Sequence, residues 1–273
     1  MKCFLFGISL ICTLAFFRPK QRTWVAIGDS ITYLNEHPDE TGNRITKGYM
    51  TRVVEKMPDI HYTNLGYNGW TSRNIADSID HIGLVPADIY SIFLGTNDWW
   101  QGRPLGTLRD YTGHTGSGTL YGSFAIIISR IRALSPAARI VLITPLQRAD
   151  FVYIGDMNNN AWGSYKPKNG QTLAQFAGAI SEIGRLEHIP VVDLYNEPRL
   201  DIKQLVRFKY LRDPRTGQYR NYRYPDFTTV PFHPGTDPYP YPKEAIGMTY
   251  DGLHPSDQGF EIIAGLLLRV LKQ

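Results

Sequence analysis

Cysteine is almost absent. The 273 residues include two, Cys3 and Cys12, and both fall within the first 22 positions. With that leader removed the remaining chain has no thiol, which excludes a disulfide framework, cysteine-ligated zinc and a cysteine nucleophile. The N-terminus also lacks an apolar run of membrane length. The uncharged, mostly apolar stretch from Cys3 to Phe17 covers fifteen residues, against the roughly 20 that a spanning helix needs. Nor is there an excess of one charge. Lys and Arg number 29 against 25 Asp and Glu, a net +4, too balanced for a nucleic-acid tail or a polybasic membrane patch. Ordinary Gly and Pro counts (25 and 18) with 12% aromatic residues exclude collagen, coiled coil and bulk disorder.

What is present describes a globular protein. Residues 1–22 read as a signal peptide or N-terminal anchor, because Lys2 precedes the apolar run and Arg18, Lys20 and Arg22 follow it. Thr13-Leu14-Ala15 offers small residues to a signal peptidase, so the protein is expected to be exported: periplasmic, extracellular or at the cell surface. No stable membrane span is expected after leader cleavage. Lipoprotein anchoring through Cys12 is disfavoured by the bulk of Ile11, where a small residue is wanted. Residues 23–273, in a chain with 42% apolar content, are enough for one large α/β domain.

After residue 22, apolar β-branched runs alternate with amphipathic stretches. Strands are predicted at Thr23–Ile27, Tyr62–Leu65, Ile89–Leu94, Arg139–Ile143 and Val191–Leu194. Helices are predicted over Gly48–Met57, from Thr71 or Ser72 to Ser78, and over Leu120–Leu134, Thr172–Glu187 and Ser256–Leu271. Five buried strands separated by helices imply a parallel sheet covered on both faces. Two segments break the rhythm. Residues 146–170 are polar and Asn-rich, and residues 195–248 carry Tyr210, Tyr219, Tyr222, Tyr224, Tyr239 and Tyr241. So long a structureless segment is either functional or disordered, and the tyrosines argue against disorder. Two readings stand for these insertions: a substrate-facing lid or platform, or packing over one sheet edge.

In sheets of this kind ligands sit at the carboxyl ends of the strands, so the residues following each strand carry the argument. Gly28-Asp29-Ser30 follows the first, Gly66-Tyr67-Asn68-Gly69-Trp70-Thr71 the second and Gly95-Thr96-Asn97-Asp98 the third. Asp251-Gly252-Leu253-His254-Pro255 precedes the last helix. Together they supply a hydroxyl, flexible backbone donors, a carboxamide, an imidazole and a carboxylate, which is what acyl transfer requires. Serine becomes a useful nucleophile when a base takes its proton, and His254 is the candidate. Asp251 can hold the imidazole tautomer and stabilise its charged form. The Ser30 and Gly69 amides and the Asn97 side chain are candidate oxyanion donors. Asp29 and Asp98 read as loop-stabilising acceptors.

These four blocks resemble those of the SGNH hydrolase superfamily, also called the GDSL-type lipases and esterases. The resemblance runs from about Val25 to the C-terminus and is anchored at Gly28-Asp29-Ser30, Gly69, Gly95-Thr96-Asn97-Asp98 and Asp251-Gly252-Leu253-His254. It implies a flavodoxin-like three-layer sandwich with a five-stranded parallel sheet. It also implies Ser30 as nucleophile, Gly69 and Asn97 as oxyanion donors, Asp251 with His254 as the relay, and no cofactor. Ile31 stands where the family often has Leu, a conservative change. Gly66 is a second candidate in its block, but the Gly-x-Thr continuation favours Gly69. The two insertions lie outside the minimal family core.

Trp70, Trp99 and Trp100 flank the oxyanion blocks and suggest an aromatic wall for the substrate. The expectation is a serine esterase acting on carboxylic esters, in the first place acetyl esters, on a small molecule or glycan. A lysophospholipase or lipase-type acyl hydrolase ranks second, and a non-catalytic glycan-binding protein on the same fold is the alternative of another class. No His-Glu-x-x-His helix or spaced ligand set points to a metal, and the Gly-rich loops lack the Lys-Ser/Thr ending of a phosphate cradle.

Overall fold

A computed structural model describes residues 20–273; the apolar leader run with Cys3 and Cys12 lies outside the described residues. Five strands form the central sheet: β1 (Arg22–Gly28), β2 (Ile60–Gly66), β3 (Ile89–Phe93), β4 (Arg139–Ile143) and β5 (Val191–Val192). All neighbours pair in parallel, in the order β2-β1-β3-β4-β5, the flavodoxin-like arrangement. The inner strands β1, β3 and β4 are buried on both sides because each face of the sheet is covered. Along β1, Trp24 and Ala26 enter one core while Val25 and Ile27 enter the other.

The helices divide accordingly. They are α1 (Tyr49–Lys56), α2 (Ser72–Ser78), α3 (Leu120–Leu134), α4 (Leu173–Leu186) and α5 (Asp257–Leu271). The first core takes Tyr49 and Val53 from α1 with Phe260, Ile263 and Leu267 from α5. The second takes Ile75 from α2, Phe124 and Ile128 from α3, and Phe176 and Ile180 from α4. Four of the helices start on a side-chain cap that satisfies an otherwise orphaned amide: Thr71, Thr119, Thr172 and Ser256. The predicted elements recur within one or two residues. The last strand, β5, stops two residues early at Val192 because the Leu194 and Tyr195 amides turn to the Thr144 hydroxyl instead. No helix among the described residues is long and apolar enough to cross a membrane.

The two insertions fold against each other. In 146–170, Phe151–Val152 pairs antiparallel with Asn160–Ala161. In 195–248, Lys209–Arg212 and Tyr219–Tyr222 form a hairpin. Leu205, Leu211, Phe227 and Tyr241 of the second insertion are buried in the same core as Trp24. From there the second insertion holds the first. Lys209 Nζ donates to Asp150 Oδ2 at 2.8 Å, Tyr239 donates to the Val152 carbonyl at 3.0 Å, and Tyr241 donates to the Asp150 carbonyl. Asp150 Oδ1 accepts from Tyr165 and from the Gly163 amide, so this buried carboxylate is fully engaged.

Breaking a buried ion pair from one side strands the other charge. Lys209→Ala is therefore expected to cost about 3–5 kcal/mol of stability, read as a lowered urea midpoint. Arg73→Ala, which removes an exposed pair with Asp77, should cost less than about 1 kcal/mol in the same assay.

Candidate active site

The strand order reverses between β1 and β3: the chain runs outward from β1 to β2, then returns to lay β3 on the other side of β1. Connections leaving a parallel sheet at such a point diverge and open a crevice at the carboxyl ends. Ser30 stands at the end of β1, on the first residue of a short helical turn, Ser30–Tyr33. Asp29 caps that turn by accepting the Ile31 amide at 3.0 Å. Burial pushes the Asp29 carboxyl up from the ordinary 3.8 to about 6.

His254 lies 224 residues further on, with its Nε2 2.8 Å from Ser30 Oγ. Its Nδ1 is 2.7 Å from Asp251 Oδ2. The other oxygen of Asp251 accepts the Leu253 and His254 amides at 3.0 and 2.8 Å, which bends the 251–254 segment so that carboxylate and imidazole face each other. The turn needs Gly252: its φ is +91°, and a Cβ there would stand 2.0 Å from the Asp150 carbonyl oxygen. The first insertion seats this turn from outside, with the Ala149 amide on the Gly252 carbonyl and the Val152 amide on the Asp251 carbonyl. Tyr250 stacks on the His254 ring at 5.8 Å and Phe151 meets it edge-on at 5.5 Å.

The loops after β2 and β3 are strapped together. Asn97 Nδ2 donates to the Trp70 carbonyl at 3.0 Å, and Gln101 Nε2 donates to the Gly69 carbonyl at 2.7 Å. The buried Asp98 carboxylate accepts both the amide and the hydroxyl of Ser72. Burial raises the Asp98 carboxyl, and the Ser72 hydrogen bonds oppose that rise. A carboxamide nitrogen has two N–H groups, so Asn97 holds Trp70 with one and retains the other on the cavity it lines. Gly69 has φ +73° with nothing within 4 Å of a virtual Cβ. The glycine is therefore required by backbone conformation; space for a side chain is available. Among the described residues neither the Ser30 nor the Gly69 amide has an acceptor.

These residues border one cavity of about 450 Å³, which Ser30, Gly69, Asn97 and His254 line together. Of the three expected wall tryptophans, Trp100 alone lines it. Trp99 is fully buried in the core below, donating its indole N–H to the Gln171 carbonyl, and Trp70 turns away to stack on Tyr67 at 4.1 Å. Both are packing residues. Their places in the wall are taken by Phe151 and Tyr153 of the first insertion, with Leu34, Tyr250 and Leu253. No residue of 195–248 lines the cavity. The sequence pattern also passed over Arg148, which lines the cavity with 1% of its surface exposed. Burial pulls its guanidinium down to about 10, against the pull of Asp150 and Asp251. The signal available was positional, since a loop after β4 must emerge at the same sheet edge. Among the described residues no group of three or more His, Cys, Asp or Glu comes together as a metal site.

The model of the GDSL-like lipase/acylhydrolase family matches residues 26–262. The chain belongs to this family. Among solved GDSL-type structures, that of a possible lipase from Chitinophaga pinensis is 61% identical, with a TM-score of 0.92 over 93% of this chain and 98% of that one. A lipase/acylhydrolase from Enterococcus faecalis shares 20% identity and a TM-score of 0.52, over 92% and 96% of the two chains. A catalytic mutant of an acetylxylan esterase from Geobacillus stearothermophilus shares 18% and 0.51, over 92% and 94%. At such identities the last two attest the fold alone. No curated protein matches the chain. Membership in the GDSL-like family places the chain among carboxylic ester hydrolases.

The buried Asp29 gives a pH signature. Below about pH 4 its carboxyl is protonated in both folded and unfolded states. Between about pH 4 and 6 the folded protein keeps a proton that the unfolded chain has released, so stability from this group falls as pH rises through that window. Asp29→Asn is expected to gain stability relative to wild type between pH 4 and pH 7, as followed by urea unfolding at each pH. A pH-independent difference would remove Asp29 from this titration.

Proposed function

We propose that the protein is an exported serine esterase that cleaves short-chain carboxylic esters, acetyl esters of carbohydrates first among them, through an acyl-enzyme on Ser30. The observation that carries this reading is the continuous relay from Ser30 Oγ to His254 Nε2 at 2.8 Å and from His254 Nδ1 to Asp251 Oδ2 at 2.7 Å, opening on a cavity. In this reading His254 takes the Ser30 proton as Oγ forms a bond to the ester carbon. The carbonyl becomes an oxyanion held by the Ser30 and Gly69 amides and the free N–H of Asn97. Collapse of that intermediate breaks the ester C–O bond, and His254 returns its proton to the departing alcohol. Water, activated by the same imidazole, then releases the acid and restores Ser30. Asp251 holds the Nδ1–H tautomer and stabilises the imidazolium.

Carbohydrate is favoured by the aromatic wall of Trp100, Phe151 and Tyr153, since flat rings pack against sugar faces. Export is supported by the composition of residues 1–22. A second reading, a longer-chain acyl hydrolase, draws on Leu34 and Leu253 in the lining and on the naming of the Chitinophaga pinensis relative as a possible lipase. Relative rates on acetyl, octanoyl and sugar acetate esters separate the two.

Ser30→Ala is expected to lower turnover of 4-nitrophenyl acetate by at least about 10⁴-fold while leaving the melting curve in place. Wild-type turnover in that variant would exclude an acyl-enzyme on Ser30, and absence of turnover on every ester by the wild type would favour a glycan-binding protein. Asn97→Ala is expected to lower kcat by about 10²- to 10³-fold with KM little changed. A change confined to KM would assign Asn97 to ground-state binding.

A further inference from the structure

Arg148 has no part in the relay, yet it lines the same cavity as Ser30 and His254. It emerges from the end of β4 and is 1% exposed. Its guanidinium lies over the rings of Trp99 and Trp100, 5.5 and 5.0 Å from their centroids. Neither Nε nor Nη2 has a hydrogen-bond acceptor among the described residues. The carboxylates whose charge it feels are Asp150 and Asp251, and both are already engaged. Asp150 is taken up by Lys209, Tyr165 and the Gly163 amide, Asp251 by His254 and two backbone amides. Glu40, the carboxylate that lines the cavity, accepts the Tyr33 hydroxyl at 2.7 Å. The cavity therefore has a partnered anion and, in its lining, a cation whose Nε and Nη2 are enclosed and meet no acceptor among the described residues.

Contact with two indole faces accounts for the position of the guanidinium but not for its N–H groups. On a surface those groups would be hydrated; buried charged donors without acceptors are costly and uncommon. A guanidinium edge presents two parallel N–H groups spaced to meet the two oxygens of one carboxylate. We propose that Arg148 is a specificity residue that binds a carboxylate of the substrate, so that the preferred ester carries an acid group within a few bonds of its scissile carbonyl. This rests on the ester-hydrolase reading of the same cavity. The acid can belong to the acyl half, as in the half-ester of a dicarboxylic acid, or to the alcohol half, as in an acetylated uronic acid; the chemistry at Arg148 is the same.

Two matched pairs test it and distinguish the halves. The first pair is mono-4-nitrophenyl succinate against 4-nitrophenyl butyrate, and the second is O-acetylated galacturonic acid against O-acetylated galactose. Wild type should favour the acid member of one pair by about 10- to 100-fold in kcat/KM, the range for a charged hydrogen bond. Arg148→Gln should collapse that ratio towards one, and Arg148→Lys should restore part of it. If Arg148→Gln does not fold, the wild type carries the test. Succinate or galacturonate should inhibit butyrate ester turnover competitively, and their methyl esters should not. Equal rates within both pairs, or an acid preference that survives in a folded Arg148→Gln variant, would overturn the proposal. Calorimetric binding of the free acids to Ser30→Ala, compared with Ser30→Ala/Arg148→Gln, reads the carboxylate site without turnover, so a failed esterase reading and a failed Arg148 assignment give different results.

Discussion

The parallel pairing of β1 with β2 on one side and β3 on the other decides where everything else in this molecule can go. Parallel strands all end at the same edge, so the loops after β1, β2, β3 and β4 emerge together, and the reversal of order between β1 and β3 parts them into a crevice. Ser30, Gly69, Asn97 and Arg148 are near one another for this reason, although they span 118 positions of sequence. Only the 251–254 turn comes from elsewhere. It reaches the same edge because α5, which follows it, must lay Phe260, Ile263 and Leu267 against the face that carries Trp24.

Once gathered, the site is held by backbone and carboxylate contacts from the loops around it. The 146–170 insertion places amides on the Asp251 and Gly252 carbonyls, and is itself pinned by Lys209, Tyr239 and Tyr241 from the second insertion. The Tyr-rich segment thus acts on the cavity at one remove: it holds the wall without being the wall. On the opposite side Asn97, Asp98 and Gln101 tie the β3 loop to residues 69–72. In the proposed reaction, donors arranged in this way would not have to reorganise as charge develops on a substrate oxygen.

Buried charge is concentrated here. Asp29, Asp98, Asp251, Asp150, Lys209 and Arg148 all lie within or directly behind the cavity wall, all 9% exposed or less. Asp98, Asp150, Asp251 and Lys209 are matched by hydrogen bonds. Asp29 has one amide donor and a carboxyl raised by burial. Arg148 has two nitrogens, Nε and Nη2, unmatched. In a low-dielectric interior such residual mismatches are expensive, and they mark the places where a fold serves something besides its own stability.

The sequence alone was enough for the five strands, the helices to within a residue or two, and the four loops that gather at the site, because these depend on periodicity and on short contiguous blocks. It was not enough for the wall. Trp70, Trp99 and Trp100 are alike as letters beside Gly69 and Asn97, yet one stacks on Tyr67, one is buried under Arg148, and one faces the cavity. Side-chain direction in an irregular loop is set by what packs against it, and the packing partners, Tyr67, Gln171 and the 146–170 insertion, come from distant parts of the chain. The division of labour between the insertions had the same origin. Local pattern determined what the segments were; whether Phe151 and Arg148 or the tyrosines of 195–248 would line the cavity was decided by tertiary contacts, among them the buried ion pair between Asp150 and Lys209, 59 positions apart.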